Sequence, residues 1–487
     1  MLGMTPVTLG RTTITNINYF GEYECNTTGG LLARRDDESH MAAAASQNIS
    51  MIDVLVVNLY PFRATVTKPD VSYADGVENI DIGGPAMIRA AAKNHAHVSV
   101  VVDPSDYADF LEEVAQEGGV SLEKRGYLAW KAFQHCSSYD ALVSEWLWGQ
   151  VGGGAMQPEV TVPMRLKEVT RYGENSHQKA AIYSDESLRE HGAGGVGSAT
   201  QHHGKEMSYN NYLDAEAAFS MASDFKDPCC VIVKHTNSCG VSVAKEGERD
   251  LLEAYRCAVR ADPISAFGGI VAFNTTIDED MAREIREFRS PTDGETRMFY
   301  EIVIAPGYTE KGLEVLKGKS KTLRILEAKP RAPSGIGFRQ VSAGWLSQEA
   351  DNLTPEDIEF TCVSEAQPTA AQLADLKFAW LCVKHVKSNA ITIAKDGRLL
   401  GMGSGQPNRV KSVEISIEKA GDEVEGSVLA SDAFFPFSWG DSVEKACQAG
   451  VKAIVHPGGS MRDQDAIDCC NKYGVVLMTT GVRHFKH

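Results

Sequence analysis

The chain has 487 residues, enough for roughly two to four domains with substantial cores, which excludes a peptide or a mini-protein. It carries 48 Lys and Arg against 65 Asp and Glu, and its formal net charge of −17 disfavours nucleic acid as a principal partner. The composition, with 43% hydrophobic and 8% aromatic residues, is that of a globular protein. No apolar run reaches the roughly 18 to 20 residues of a membrane span, so no membrane partner is predicted.

Eleven cysteines are scattered along the chain, including the adjacent pairs Cys229/Cys230 and Cys469/Cys470. Neither a disulfide framework nor paired CxxC zinc spacing is present, so we predict small buried thiols in a reducing compartment and no metal. Residues 1–28 lack the apolar core of a signal peptide and the Arg-rich pattern of a transit peptide.

The first predicted elements are two β-branched strands, Met51 to Asn58 and Val98 to Asp103, with a helix from about Pro85 to His95 between them. Alternating strands and helices are typical of a parallel, doubly wound α/β sheet. A long helix follows from Leu122 to Trp148, and we predict core packing for its aromatic and aliphatic residues Trp130, Phe133, Tyr139, Leu142 and Trp146.

Gly152 to Gly154 and Pro158 are typical of a linker and mark the predicted domain boundary. Beyond it, strands are predicted at Cys229 to Val233, Gly269 to Phe273, Ile302 to Ala305, Ala390 to Ala394, Val451 to His456 and Val475 to Thr480. Val231 to Gly240 and Cys382 to Ile391 both contain a Lys-His pair beside a polar turn. An internal duplication and a chance echo both account for that pair.

Lys234 and His235 end an apolar strand and precede a polar turn. Open α/β sheets bind ligands beyond the carboxyl ends of strands, so His235 is a candidate proton acceptor and Lys234 a candidate for stabilising negative charge. A solvated Lys and a hydrogen-bonded His that cap a strand are the alternative.

Three further segments have a functional and a structural interpretation. Arg171 to Asn175 offers a phosphate donor or an exposed loop, and Ser265 to Gly269 offers a close approach to a planar ligand or a tight turn. The basic, aromatic tail Arg483 to His487 is a candidate anion site or a frayed terminus.

Two motifs fail on spacing. Gly401 to Gly405 lacks the third glycine of GxGxxG and is followed by Pro407, so it does not predict a dinucleotide site. Pro228-Cys229-Cys230 lacks the PCxxC spacing of a zinc deaminase.

Taken together, the ordered motifs resemble the bifunctional purine biosynthesis family, which joins AICAR formyltransferase to IMP cyclohydrolase. They are RYGENSHQ at Arg171, VKHTNSCG at Val233, SAFGG at Ser265, IAPGY at Ile304, KSNAI at Lys387, GMGSGQ at Gly401, SDAFFPF at Ser431, PGGS at Pro457 and RHFKH at Arg483. Ala129 to Lys131 and Ser438 to Gly440 look most like plant or algal members.

The resemblance implies an α/β protein with four parts. An atypical segment (1–28) precedes a partial methylglyoxal-synthase-like cyclohydrolase domain (29–150), a linker (151–165) and a duplicated cytidine-deaminase-like formyltransferase domain (166–487). It implies formyl transfer from the cosubstrate 10-formyltetrahydrofolate to AICAR, closure of formyl-AICAR to IMP, and a homodimer whose formyltransferase site is shared between subunits.

Residue by residue, the resemblance assigns four groups. The catalytic residues are Lys234, His235, Asn389 and, for ring closure, the proton acceptor Lys93. The AICAR contacts are Arg171, Tyr172, His235, Gly268, Glu301, Asn389, Arg409, Phe434 and Arg483, with the three arginines as phosphate and carboxamide donors. The folate contacts are Val410, Asp441, Ser460 and Met461. The IMP contacts are Asn58, Leu59, Tyr60, Asp81, Ile82 and Gly83.

Three departures from the family pattern stand out. Ser176 and Ser238 replace prolines, which predicts looser turns. Ser438 to Gly440 replaces an arginine and weakens the assignment of Asp441. Residues 1–28 carry none of the family's phosphate-binding motifs, which predicts impaired ring closure.

Two alternatives stay open: a non-catalytic protein that binds AICAR-like nucleotides or a full-length copy, and a chain whose natural product begins further upstream. The predicted location is the cytoplasm, with the plastid as alternative.

Overall fold

The computed structural model describes residues 26–116, 119–154, 156–185, 194–330 and 336–487. The chain divides into two compact units between Pro163 and Met164, inside the segment 151–165 that the sequence suggests as a linker. Each unit is described by itself.

The first unit surrounds a short parallel pair of strands, β1 and β2, with helices. Residues 26–32 are helical. The strands are β1 (Val54–Val56) and β2 (Ser99–Val101), and the helices are α1 (Glu38–Ser46), α2 (Phe62–Val66), α3 (Tyr73–Glu78), α4 (Gly83–Lys93), α5 (Tyr107–Val114) and α6 (Leu122–Gln150). The predicted strand–helix–strand order is confirmed, with strands of three residues each instead of six to eight.

Helix α6 departs from the predicted packing of its aromatic residues. Leu128, Ala132, Cys136 and Tyr139 form the buried stripe, at helical spacing. Trp130 lies off that stripe and is 57% exposed, and Phe133 is 47% exposed. Core packing was therefore the wrong prediction for these two residues, because a helix buries one face and they lie outside it.

The second unit contains a twelve-stranded mixed sheet, in the order β13-β18-β17-β16-β14-β15-β7-β6-β8-β9-β10-β5. Its strands are β5 (Thr200–His203), β6 (Cys229–Lys234), β7 (Asn237–Val243), β8 (Gly269–Phe273), β9 (Tyr300–Ala305), β10 (Arg324–Glu327), β13 (Thr361–Cys362), β14 (Ile391–Lys395), β15 (Arg398–Gly403), β16 (Val428–Ser431), β17 (Ala453–His456) and β18 (Val476–Thr479). Two separate antiparallel pairs are β3 (Met164–Val169) with β4 (Ala181–Asp185), and β11 (Ile336–Val341) with β12 (Gly344–Glu349).

Helices cover both faces of this sheet. They are α7 (Tyr209–Asp224), α8 (Leu251–Ala261), α9 (Pro263–Ala266), α10 (Glu279–Glu287), α11 (Glu310–Lys317), α12 (Ala370–Lys384), α13 (Arg409–Ala420), α14 (Ser442–Gln448) and α15 (Asp463–Tyr473). Along β6, Val231 and Val233 enter one core while Cys230 and Ile232 enter another. A strand buried on both faces reads as an unbroken apolar run, which is why the sequence predicted it.

The element order of the second unit repeats. Helix α7 precedes β6, β7, α8, β8, α10, β9, α11 and β10, and α12 precedes β14, β15, α13, β16, α14, β17, α15 and β18, with only the short α9 added in the first half. The two sets of five strands lie in mirrored order on either side of the β7–β15 contact, where Ser242 pairs with Arg398. We call them the first and second halves.

The Lys-His echo in the sequence lies outside the register of this repeat. The turn after β14 that corresponds to Lys234-His235 is Lys395-Asp396. Lys384 instead ends α12, and His385 follows it. The Lys-His echo therefore does not mark equivalent positions of the repeat, although the repeated element order itself is present.

Two of the three glycines of GMGSG serve helix packing. Gly401 and Gly403 lie in β15, and a Cβ atom on either would come within 2.1 Å of a carbonyl oxygen of α13, that of Ser416 or Ser412. Only glycine allows so close an approach of helix and strand.

Ser238 lies inside β7 next to a register shift, not in the predicted turn. Its side chain is 3% exposed, and its hydroxyl has no hydrogen-bond partner among the described residues. Burying an unsatisfied hydroxyl costs about 1–3 kcal/mol, so Ser238→Ala is expected to raise the free energy of unfolding by about 1 kcal/mol. Urea denaturation measures this change, and a stability loss in Ser238→Ala would show that the hydroxyl is satisfied in solution.

Candidate active site

One edge of the twelve-stranded sheet collects the predicted formyltransferase residues. Antiparallel pairing places the end of β6 beside the starts of β7 and β8, and the end of β15 beside the start of β14. The ends of β16 and β17 lie at this same edge, because β16 runs antiparallel to β14 and parallel to β17. The edge carries Lys234, His235, Gly268, Glu301, Asn389, Phe434, Ser460 and Arg483 on or just beyond the strand ends.

Lys234 and Gly268 form the centre of a first cluster. The Lys234 Nζ donates to the Phe267 carbonyl oxygen at 2.8 Å, and a Cβ atom on Gly268 would lie 3.8 Å from that Nζ. Gly268 has a φ of +77°, a conformation that favours glycine. His235 is exposed on the adjacent turn. The Lys234 ammonium group and the His235 imidazole thus lie at the sheet edge near Gly268, whose backbone is not covered by a side chain of its own.

Glu301 lies on the next strand. Its Oε2 accepts a hydrogen bond at 2.8 Å from Arg324, whose side chain is 3% exposed, whereas the Glu301 side chain is 41% exposed. The buried guanidinium therefore orients a carboxylate that still reaches solvent.

Arg171 and Tyr172 lie in the segment between β3 and β4. The Arg171 Nη2 donates to the Tyr172 hydroxyl at 2.8 Å, and the Arg171 side chain is exposed. The loop that follows is closed by hydrogen bonds to Gln178, from the Gly173 amide to its carbonyl at 2.8 Å and from the Asn175 amide to its side chain at 2.9 Å. These contacts hold the segment around Ser176 without the proline.

Asn389 and Arg409 form the centre of a second cluster. The Arg409 Nη2 donates to the Asn389 Oδ1 at 2.7 Å, and its Nη1 donates to the Ser431 Oγ at 2.8 Å and also to Asp432. Arg409 is 7% exposed and begins α13. The structure therefore places this guanidinium in contact with Asn389, whereas the other two predicted arginines, Arg171 and Arg483, are exposed.

The C-terminal tail is anchored, not frayed. His484 is 2% exposed, its Nδ1 lies 2.6 Å from Asp351, and its ring centroid is 5.2 Å from that of Trp380. The His484 amide donates to the Asp432 carbonyl at 3.2 Å, which brings the tail to the second cluster.

The predicted folate residues lie on α13, at the start of α14 and in the loop after β17. Val410 is the second residue of α13, and Asp441 caps α14, accepting from the Ser442 amide at 2.7 Å. Ser460 and the fully exposed Met461 follow β17. Their loop is held by Asp463, which accepts from the amides of Gly459 at 2.7 Å and Ser460 at 3.2 Å.

His456 also supports this loop through a hydrogen bond. Burial lowers the pKa of His456 to about 4, so its ring is neutral at pH 7. A neutral ring leaves one nitrogen as an acceptor, and the Gly458 amide donates to Nδ1 at 3.2 Å.

The two clusters are linked but separated. The Ser404 hydroxyl donates to the Asn237 Oδ1, joining the end of β15 to the start of β7. Strands β6 and β14 are three strand spacings apart, or about 14 Å at roughly 4.8 Å per spacing.

Sequence reasoning missed Asp214 on α7. Its Oδ1 accepts from the Thr236 amide at 2.7 Å. Burial raises the pKa of the Asp214 carboxyl, while the backbone amides of Thr236 and His235 and the charge of the His235 imidazole oppose that rise. The signal that could have found it is an acid at the same place in both helices that open the two halves, Asp214 in α7 and Asp375 in α12.

In the first unit, the predicted IMP residues meet at the start of α4. The Tyr60 amide donates to the Asp81 Oδ2 at 3.2 Å, and the Gly84 amide donates to its Oδ1 at 2.7 Å. Asn58 donates to the Tyr107 hydroxyl at 3.2 Å, and Leu59 lies against Gly84. Ile82 is 77% exposed and Gly83 begins the helix.

Lys93 does not join this group within the unit. It is the last residue of α4, ten residues beyond Gly83, or about 15 Å along the axis at 1.5 Å per residue. Its side chain is exposed.

In the described ranges of the chain, no cluster of three or more His, Cys, Asp or Glu side chains is arranged to hold a metal ion. Across the same residues, no helix is both long and apolar enough to cross a membrane.

Comparison with known proteins identifies the family. The sequence model of the AICARFT/IMPCHase bienzyme family matches residues 91–419. The bifunctional purine biosynthesis protein PurH of Bacillus cytotoxicus is 48% identical over 465 residues, which cover 95% of this chain and 87% of that protein. PurH of Streptococcus pyogenes serotype M12 is 46% identical over 467 residues, with the same coverage. A crystal structure of ForH shares 36% identity over 31% of this chain and 74% of its own, with a TM-score of 0.25.

These relatives are bacterial, so the plant or algal resemblance and the atypical start remain predictions. The extent and identity of the match nevertheless place the whole motif set in one family. The chain belongs to the AICARFT/IMPCHase bienzyme family of purine biosynthesis, whose members combine AICAR formyltransferase and IMP cyclohydrolase activities.

Proposed function

We propose that this chain transfers the formyl group of 10-formyltetrahydrofolate to the 5-amino group of AICAR at the sheet edge of the second unit. The observation that supports it most directly is the Lys234 ammonium beside Gly268, with His235 exposed on the adjoining turn. In the reaction, the AICAR nitrogen bonds to the formyl carbon, the bond from that carbon to N10 of the folate breaks, and N10 takes up the proton that the amine has lost, so that tetrahydrofolate leaves.

The two catalytic roles follow from the chemistry of the groups. An aromatic amine next to a carboxamide is a weak nucleophile, so His235 accepts its proton as the new bond forms. Lys234 stabilises the negative charge that develops on the formyl oxygen. Its hydrogen bond to Phe267 uses one of three N–H donors, which leaves two for the substrate.

The second cluster positions the nucleotide and the folate. Asn389 binds the amine and carboxamide of AICAR, and Arg409 holds the Asn389 side chain at 2.7 Å. Exposed Arg171 and Arg483 provide the local positive charge that a phosphate needs on a chain of net charge −17. Phe434 and Tyr172 offer aromatic faces, Glu301 a carboxylate, and Val410, Asp441, Ser460 and Met461 border the folate.

A homodimer with shared sites accounts for the distance between the clusters. Strands β6 and β14, which carry Lys234 and Asn389, lie about 14 Å apart in one chain. A second copy that brings its own Asn389 cluster to Lys234 shortens that gap.

Ring closure is assigned to the first unit. The residues around Asp81 bind IMP, and Lys93 accepts a proton. Lys93 lies at the opposite end of α4 from Asp81, so this role requires a Lys93 from an α4 other than the one that begins beside Asp81. The prediction that ring closure is impaired rests on residues 1–28, and residues 1–25 lie outside the described ranges. The proposed location is the cytoplasm, with the plastid as alternative.

A paired assay on the purified chain tests both activities. Tetrahydrofolate release is followed from AICAR plus 10-formyltetrahydrofolate, and IMP formation is followed from formyl-AICAR supplied directly. We expect folate release that depends on AICAR, and IMP formation is compared with that of a bacterial relative. AICAR binding without folate release would refute the proposed transferase, and an equal rate of IMP formation would refute the predicted impairment.

A further inference from the structure

The turns after β6 and β14 share one backbone conformation. His235 and Thr236 have φ values of +53° and +60°, and Asp396 and Gly397 have +53° and +62°. Two successive positive φ values define the tight hairpin turn for which Asp-Gly is among the preferred pairs. Asp396-Gly397 fits that preference, whereas His235-Thr236 does not, because a β-branched residue is strained at positive φ.

Each turn is held by an aspartate from the helix that opens its half. Asp375, the sixth residue of α12, accepts from the amides of Asp396 at 2.9 Å and Gly397 at 2.8 Å. Asp214, the sixth residue of α7, accepts from the Thr236 amide at 2.7 Å. The same contact thus recurs in both halves, but only the first half carries the strained pair and the candidate base.

We propose that Asp214 is a positioning residue for formyl transfer, because its carboxylate holds His235 and Thr236 in the left-handed turn that presents the imidazole at the sheet edge. This inference rests on the proposed role of His235. Strained conformations persist at functional sites only when surrounding contacts enforce them. A half-buried carboxylate that accepts a backbone N–H, as Asp214 does, is a strong contact of this kind.

The experiment measures kcat and KM separately for the full-length chain. Asp214→Ala is expected to lower kcat for formyl transfer by about 10- to 100-fold, the scale of a misplaced catalytic group, with both KM values changed by less than about threefold. Asp214→Asn keeps one acceptor oxygen and is expected to retain more activity than the alanine variant.

Asp375→Ala is the matched control. It removes the same contact from a turn at the opposite edge of the sheet, where no predicted site residue lies. It is expected to lower thermal stability as much as Asp214→Ala while kcat stays within about twofold. Equal losses of kcat in both variants would overturn the inference, since they would report general loosening of the sheet.

A double variant tests the backbone argument. Glycine adopts positive φ without steric cost, so adding Thr236→Gly to Asp214→Ala is expected to recover part of the lost kcat. No recovery, or a loss in KM instead of kcat, would overturn the positioning role. Normal kcat in Asp214→Ala beside an inactive His235→Ala would refute only this inference, whereas normal turnover in His235→Ala would refute the proposed mechanism itself.

Discussion

Replacing His235 with alanine is expected to lower kcat for formyl transfer by roughly 100-fold or more, the usual contribution of a positioned proton-transfer group. His235 is exposed at the end of β6, beside Lys234, and the charge of its imidazole acts on the Asp214 carboxyl. Alanine at this position keeps the left-handed backbone under similar strain, so the variant removes the imidazole and little else. Steady-state rates of tetrahydrofolate release measure the effect.

Asp396→Ala provides the control for that variant. Asp396 occupies the corresponding turn of the second half at the same φ of +53°, at the other edge of the sheet. Its kcat is expected to stay within about twofold, because no proton transfer is lost. Near-normal turnover in His235→Ala would remove His235 from the mechanism and leave Lys234 as the principal catalytic group.

The sequence predicted those strands and site residues whose position depends on one short segment of the chain. Apolar β-branched runs predicted the strands at Cys229, Gly269 and Val451 because strands buried on both faces cannot alternate with polar residues. The same runs located Lys234 and His235, since chemistry in such sheets lies beyond the strand ends.

Contacts between distant segments could not be predicted in this way. Asp214 meets Thr236 across 22 residues, and Arg409 meets Asn389 across 20, without any pattern in the intervening sequence. The exposure of Trp130 depends on which face of α6 the rest of the unit covers. Likewise, the Lys-His echo was misleading, because which residues of the two halves are equivalent depends on strand register, and the amino-acid sequence alone does not show the register.

Lys384 and His385, the pair that formed the echo, belong to a buried ion network. The second prediction concerns the stability that this network provides. The Lys384 Nζ donates to the Asp224 Oδ2 at 2.8 Å and to the Leu353 carbonyl at 3.0 Å, and the His385 Nε2 lies 2.9 Å from the same carboxylate oxygen. The Lys384 side chain is 6% exposed and that of Asp224 is 27% exposed. One carboxylate thus ties the end of α7 to the end of α12, and so one half to the other.

Asp224→Ala is therefore expected to lower the free energy of unfolding of the second unit by about 3 kcal/mol, because it leaves the buried Lys384 charge with the Leu353 carbonyl but without the carboxylate that pairs with it. Glu279→Ala, which breaks exposed ion pairs with Arg283 and Lys311, is the control and is expected to cost less than about 1 kcal/mol. Hydrogen exchange of the β6 and β14 amides measures both changes within the second unit. A loss no larger than that of the control would show that solvent reaches Lys384.

The pH dependence of stability provides an independent check. Burial alone would raise the pKa of Asp224, but hydrogen bonds and charge from His385 and Lys384 outweigh it and lower that pKa from 3.8 to about 2. A carboxyl group with a lowered pKa stabilises the folded state above its unfolded pKa, and this contribution is lost as the pH falls from about 4 to about 2. Asp224→Ala is expected to lack this acid-dependent component, so its stability should approach that of the parent chain toward pH 2. A constant difference between the two chains from pH 6 to pH 2 would mean that the carboxylate acts through packing and not through its charge.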